Sequence, residues 1–457
     1  MKAITLYIKP ILLLILIILS STSCESMIDV DSPNDQINKT AVFQDIVTAK
    51  SALTYLYSRM RDNSLIGKST DGLSFSLSLY TGELEHYGNL SNDFYLNTIQ
   101  ASNSTVGKWW NQSYKDIYSI NSFIEGITLS DKISLEDKKQ LLGEAYILRA
   151  IFYQYLVQLF GDIPFTTTTD YTYNTSIGKT KSEKILLEIE KDLLSALENL
   201  DYSYRSMQKT NVNKAVAELL LAENYLLQKK YDKAQIYSQN ILNSDLYSLE
   251  DDINKVFKKT AKSTIWQISP LLNTNITPEA SYYISERLTS NSSAINQHLL
   301  DSFDTNDLRL KNWTKKLTQN QKEIFQVYKY KNYQNNPDEF SIFFRLEQVY
   351  LMLAESQIHQ EKISEAISTL NKLRVKRGLN AISNSITKDN AIEILLQEYN
   401  KEFFTESGMR FFSLKRHNKL NKLIEIKTNW KEFYQLFPIH EKQLQINKNL
   451  LPNNPGY

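Results

Sequence analysis

The chain has almost no cysteine, one in 457 residues. A lone thiol excludes an internal disulfide framework and a cluster of cysteine metal ligands. Glycine and proline are scarce too, at 12 and 9. Turn-rich β folds draw on both, so their shortage favours helices. Histidine occurs five times, at His86, His298, His359, His417 and His440, with no HExxH pair. A GxSxG elbow, a P-loop and a GxGxxG fingerprint are all absent. Neither charge dominates: 52 basic residues face 51 acidic ones. That balance argues against a nucleic-acid partner and a polybasic membrane patch. These absences predict a protein that is not an enzyme, with no catalytic residue, no cofactor and no metal.

Long apolar runs are also missing, apart from Ile11 to Leu19. Nine apolar residues are too few, since a helix needs about 20 to cross the hydrocarbon core. Lys2 and Lys9 flank the start of the run, and Ser20, Ser21, Thr22 and Ser23 follow it. A basic start, a short apolar middle and small residues before a cut mark a secretory signal. Cys24, the sole cysteine, comes next. This placement looks like the lipobox of a bacterial lipoprotein, in which the thiol takes a diacylglycerol and becomes the first mature residue. The expectation is a signal peptide over 1–23, lipid attachment at Cys24 and a polar tether over 24–40. Loss of Lys2 and Lys9 with the signal turns the formal charge from +1 to −1.

From residue 41 onward the helical period dominates. Ile46, Ala49, Leu53, Leu56 and Met60 share one helical face. Leu141, Ala145, Leu148, Phe152, Tyr155 and Leu159 share another, in a helix closed by Gly161 and Pro164. Leu186, Ile189, Leu193, Ala196 and Leu200 mark a third, with Thr180 and Glu183 spaced as a capping box. Ala222 and Ala234 lie twelve residues apart around Tyr225 and Tyr231, and Ala354 and Ala366 repeat the step. Small residues at this spacing predict tetratricopeptide-like hairpins whose helices cross closely. Such hairpins cannot bury their faces alone, so further helices must stack on them. The stretches near 62–108 and 245–345 break the pattern with Gly, Ser, Asn and aromatics. Short β-like runs lie in them at Thr264 to Ile268 and Glu323 to Tyr330. The predicted fold is mainly α, one domain over 41–457, with irregular insertions carrying short strands.

Several segments together resemble the SusD/RagB family of surface nutrient-binding lipoproteins of Bacteroidota. Gly143 to Phe165, GEAYILRAIFYQYLVQLFGDIPF, is similar to the long family helix with its closing Gly-Asp-Ile-Pro. Trp110 to Ile127 resembles the helix before it, and FRLEQVYLMLAESQI with LNKLRVKRGL a later repeat. EYNKEFFTESGMRFFSLKRHNKL and LFPIHEKQLQINKNLLPNNPGY resemble the C-terminal signature and the Asn-Pro-Gly-Tyr tail. His440 departs from the pattern, standing where the family usually has a proline. In these motifs Glu144, Arg149, Trp110, Tyr114, Phe411 and Phe412 read as residues that hold helices together.

The resemblance implies a lipoprotein anchored in the outer membrane through Cys24 and facing the cell exterior. It also implies capture of an oligosaccharide and its delivery to a SusC-like TonB-dependent transporter. Ligand is expected on the aromatic-rich insertions. Pyranose C–H faces lie on aromatic planes, while sugar hydroxyls seek Asn, Asp, Gln or Arg. The first insertion interleaves Phe75, Tyr80, Glu83, Tyr87, Asn89, Asn92, Asp93, Phe94 and Tyr95. The second adds Trp266, Tyr282, Tyr283, Asp307, Arg309 and Trp313. Tyr80, Tyr87, Asn89, Tyr283 and Trp313 are the preferred contacts, and one of Trp109 and Trp110 is expected to face outward. Three rival readings stand: a peptide or glycoprotein-derived ligand with the same transporter, a surface glycan-degrading enzyme, and a protein-binding tetratricopeptide scaffold.

Overall fold

The computed structural model describes residues 42–457, apart from 63, 68, 88–91, 272–274 and 290–291. Cys24, the signal segment, the tether and Asn89 lie outside the described residues. Helix α1 (Ile46–Asp62) buries Ala49, Leu53, Leu56 and Met60 of the predicted stripe, leaves Ile46 half-buried, and adds Tyr57. Helix α2 (Leu73–Tyr80) is buried along its whole length and leads into strand β1 (Leu84–His86). Helix α3 (Ser104–Leu129) begins at Asn103, whose side-chain oxygen accepts the Val106 N–H.

Helix α4 (Leu135–Phe160) starts at Ser134 with Glu136 and Asp137 in its first turn, and stops at Gly161 with φ 73°. From Gly143 to Phe160 it is buried almost all round, because other helices enclose it. Two polar ties cross this layer. Arg149 forks onto Asp192 at 2.8 and 2.7 Å and reaches Asn121 at 2.8 Å. Buried Glu144 accepts Tyr57 Oη at 2.7 Å and Arg205 at 2.9 Å.

Helix α5 (Ser182–Asn199) corrects the predicted capping box. Its N-cap position is Lys181, with no side-chain cap. Thr180 pairs through its backbone with Ile163, and the Ser182 N–H donates to Asp162 Oδ1 at 2.9 Å. The chain returns to α4 at this point, so a carboxylate twenty residues upstream replaces the local cap. A local sequence pattern cannot show such a partner.

Helices α6 (Lys214–Leu227) and α7 (Tyr231–Leu242) form the first hairpin. The second irregular stretch follows. It carries β2 (Thr264–Ile268), α8 (Pro278–Tyr283), β3 (Ser293–Ile295), β4 (Thr314–Gln319), β5 (Lys322–Val327) and β6 (Ser341–Arg345). Among the described residues the three ladders are antiparallel pairs: β1 with β3, β2 with β6, β4 with β5. The predicted strand over Glu323 to Tyr330 ends at Val327. Asn320 and Gln321, at φ 52° and 63°, make its two-residue turn. The β1–β3 ladder ties the first irregular stretch to the second, with Leu84 opposite Ile295.

Helices α9 (Leu346–His359) and α10 (Ile363–Lys376) form the second hairpin. Its turn copies the first. Lys229 and Glu361 take φ 59° and 62°, and Lys230 and Lys362 donate to Tyr225 O and Gln357 O at 2.8 and 2.9 Å. Ala222, Ala234, Ala354 and Ala366 are all fully buried, as close crossing requires. Helices α11 (Lys388–Phe403) and α12 (Met409–Arg416) stack next, and the tail returns to α4. There Asn454 Nδ2 donates to Phe160 O and Phe437 O at 2.9 and 2.7 Å. His440, in place of a proline, caps the short helix Glu441–Ile446 by accepting the Lys442 N–H.

Candidate functional site

The structure buries most of the aromatics expected to meet ligand. Tyr80 has no exposure and sits among Phe94, Phe411, Trp430, Tyr434 and Phe437, with ring centroids 5.1–6.3 Å away. Its hydroxyl donates to Tyr434 O at 3.1 Å. Tyr283 is buried and stacks on Phe75 at 6.1 Å. Trp313 is buried against Phe257 and flanked by Lys329, Arg345 and Arg377. These three are packing residues, so the expectation of ligand contact does not hold for them. Their polar sequence neighbours misled, because the polarity belongs to buried ion pairs. Asp307 and Arg309, for example, are paired at 2.8 Å without exposure. Glu83 and Trp266 are buried as well.

Trp109 and Trp110 are both buried, which corrects the expectation that one faces outward. Trp109 packs on Phe94 and Phe437, and Trp110 on Phe160 and Tyr114, so α3 is covered on two sides. Of the preferred five, Tyr87 alone is exposed among the described residues, at 39%. Its N–H donates to Ser292 O at 3.0 Å, which sets it beside the β1–β3 ladder.

The two irregular stretches meet at a cleft of about 380 Å³. Arg61, Asp62 and Ser69 form one wall, from the end of α1 onward. The exit of β2 through Leu271, the α8 residues Ser281 and Tyr282, and Ser341 and Phe343 of β6 form the other. Arg61 forks onto Asp62, Nε to Oδ1 at 2.6 Å and Nη2 to Oδ2 at 3.0 Å. Both side chains remain partly exposed, at 25% and 31%. The pair presents donors and acceptors while remaining neutral overall, which suits a polyhydroxylated neutral ligand better than an ion. Tyr282 offers a ring that is 40% exposed. Burial, with the nearby Asp71 and Glu279 charges, pushes its phenol pKa up, so the hydroxyl stays protonated and able to donate. Phe343 backs the cleft, packed on Trp266 at 4.7 Å.

Tyr282 reaches the cleft because α8 starts at a Thr277 cap with Pro278 in its first turn. Adjacent helical residues point about 100° apart. Tyr283 therefore turns into the core while Tyr282 turns out. The adjacent tyrosine pair was the available sequence signal, but only packing decides which member is exposed.

Two larger clefts exist. One of about 780 Å³ runs along α3 past Trp110, Tyr114 and Tyr118 to Gln443 and Ile446. The other, about 950 Å³ and more open, lies beside α10 near Tyr247 and Ile382. Each joins scaffold helices to connecting segments, and neither unites the two insertions. Glu355 and His359 of α9 also converge with His417, which is distant in sequence. None of the three lines the cleft.

Residues 167–457 match the family model described as SusD family. The chain belongs to the SusD family. A second model, described as starch-binding associating with outer membrane, matches residues 26–226. SusD-like protein P2 of Formosa agariphila is 26% identical over 97% of this chain and 98% of its own length. SusD-like protein P25 of the same organism is 24% identical, but this chain spans about half of it, 49%. Among solved structures, a SusD superfamily protein from Bacteroides vulgatus superposes with TM-score 0.79 at 20% identity, covering 91% of this chain and all of the other. A laminarin-binding SusD-like protein superposes with TM-score 0.76 at 18% identity, covering 90% and 99%. The mainly α fold with short strands expected from the sequence is the SusD fold.

Proposed function

We propose that this SusD family protein captures an oligosaccharide at the cell surface and passes it to a SusC-like TonB-dependent transporter. The observation that carries the reading is the cleft where both insertions meet, with the Tyr282 ring beside the Arg61–Asp62 pair. An aromatic face takes pyranose C–H groups, and the fork takes hydroxyls. The laminarin-binding relative of similar fold supports a glycan ligand. Tyr87, exposed on the first insertion although it does not line the cleft, is kept as a further contact. Asn89, outside the described residues, is kept as a contact on the sequence reading alone. Binding is modest, because the ligand must leave for transport. The protein performs no catalysis in this scheme.

The test is retention on native gels cast with a panel of glycans. Tyr282→Ala should weaken binding about tenfold, the ~1.4 kcal/mol of one aromatic contact. Equal retention of wild type and variant would remove the cleft. Silence across all glycans with retention of a peptide would favour the peptide reading. Release of reducing sugar by the purified chain would favour an enzyme. A co-purifying protein other than a transporter would favour the scaffold reading.

The anchor has its own test. Cells fed a tagged fatty acid should label the wild-type chain and leave Cys24→Ala unlabelled. Label on the variant would sink the lipoprotein reading.

A further inference from the structure

We infer that Glu355, His359 and His417 form a binding site for one divalent transition-metal ion of the zinc class, clamping α9 to the end of α12. Glu355 and His359 lie four residues apart on α9, so they share a face. His417 is the C-cap residue of α12. One ligand atom from each of the three lies within 4.8 Å of the others.

The His417 ring carries the argument. Its Nδ1 is 2.9 Å from Ser413 O. A carbonyl only accepts, so Nδ1 bears the hydrogen and Nε2 of the neutral ring has a bare lone pair. That Nε2 has no hydrogen-bond partner, and the side chain is only 2% exposed. It faces Glu355 Oε1 at 3.6 Å. A lone pair against a carboxylate oxygen is repulsive, and a cation between them turns both contacts favourable. A backbone carbonyl holding Nδ1–H is the arrangement that orients a metal-binding imidazole. Two ligands on one tetrahedral ion, at zinc–ligand lengths, stand about 3.4 Å apart. The His417–Glu355 pair is already near that separation, and half-buried His359 brings a ring nitrogen within 4.8 Å of both. Its ring is held by a parallel stack on Tyr231 of α7 at 4.3 Å.

Arg416 is the competitor to weigh. It donates to Glu355 Oε1 at 2.5 Å and Oε2 at 2.7 Å, and Tyr399 Oη donates to Oε2 at 3.2 Å. Each carboxylate oxygen has two acceptor sites. Oε2 is therefore filled, and Oε1 keeps one site. Two imidazole nitrogens and one carboxylate oxygen suit zinc, cobalt or nickel, whereas calcium and magnesium prefer all-oxygen shells.

The experiment titrates the full chain, stripped with a chelator, with Zn²⁺ in a calorimeter. One saturable equivalent is expected, with no response to Ca²⁺, and Co²⁺ should develop visible d–d bands. His417→Gln should weaken Zn²⁺ at least about 100-fold, the upper end of losses for much smaller perturbations of metal sites. His359→Phe keeps the stack on Tyr231 and should weaken it comparably. If His417→Gln loses its helical circular dichroism, His359→Phe decides. No saturable binding, or equal binding by wild type and both variants, overturns the site. So does a protonation of His417, seen by NMR, that proceeds identically with and without Zn²⁺.

Discussion

Replacing Glu402 by Gln should destabilise the protein by about 3–5 kcal/mol, the cost of breaking a buried ion cluster from one side. Glu402 has no exposure and lies in the last turn of α11. Its carboxylate accepts Arg345 Nη1 at 2.7 Å, Arg377 Nη2 at 2.7 Å and Arg309 Nη1 at 3.2 Å. The three guanidiniums are themselves buried. Neighbouring carboxylates serve them in part: Asp307 and Glu398 for Arg309, Glu347 for Arg377, Glu406 for Arg345. Only Glu402 touches all three. Gln keeps the shape, removes the charge and turns an N–H₂ toward donors. The urea midpoint should fall with an unchanged slope. A loss below about 1 kcal/mol, as for an exposed ion pair, would overturn the central role of Glu402.

The same cluster predicts the acid side of the stability curve. Burial alone would raise the Glu402 pKa, but Arg377, Arg345 and Arg309 hold it well below the usual carboxylate range. Glu355, paired with Arg416, is held at about 2 against the same opposing burial. Both pKa values are depressed on folding. Their stabilisation is therefore full above the ordinary value of 4.5 and drains away as pH falls toward 2. Glu402→Gln should flatten that fall, because one of the two protonations no longer occurs.

Tyr80→Ala should cost about 3–5 kcal/mol, the range for emptying an aromatic site in a core. Five aromatic rings would then border the cavity, and Tyr434 O would lose its donor. Tyr80→Phe isolates the hydroxyl and should cost about 1 kcal/mol. Glycan retention by the folded fraction of either variant should match wild type. A stable Tyr80→Ala protein with weakened retention would return Tyr80 to the binding site and remove the packing role.

The contrast between Tyr80 and Tyr282 shows where sequence reasoning stopped. The stripe of α1, the long α4 and the paired alanines of both hairpins were legible, because helical period is local and burial follows it. The β2 run was legible from its β-branched and aromatic composition. The cap of α5 was not, since Asp162 arrives from twenty residues away. Polar neighbours around Trp313 looked like a ligand surface, but Arg309, Arg345 and Arg377 converge on Glu402 from distant segments. His359 and His417 looked scattered and meet beside Glu355.

By itself, then, the sequence determined a helical scaffold, the places where that scaffold is interrupted, the absence of familiar catalytic motifs and, through its linear motifs, the family. Each of these is written in spacing along the chain. Only the tertiary structure decided which aromatics face solvent, where the two interruptions join, and which charges are buried against one another. Those properties depend on partners far apart in sequence. A tyrosine on a short helix becomes core or contact according to what packs against it, and that neighbour is absent from its own stretch of chain.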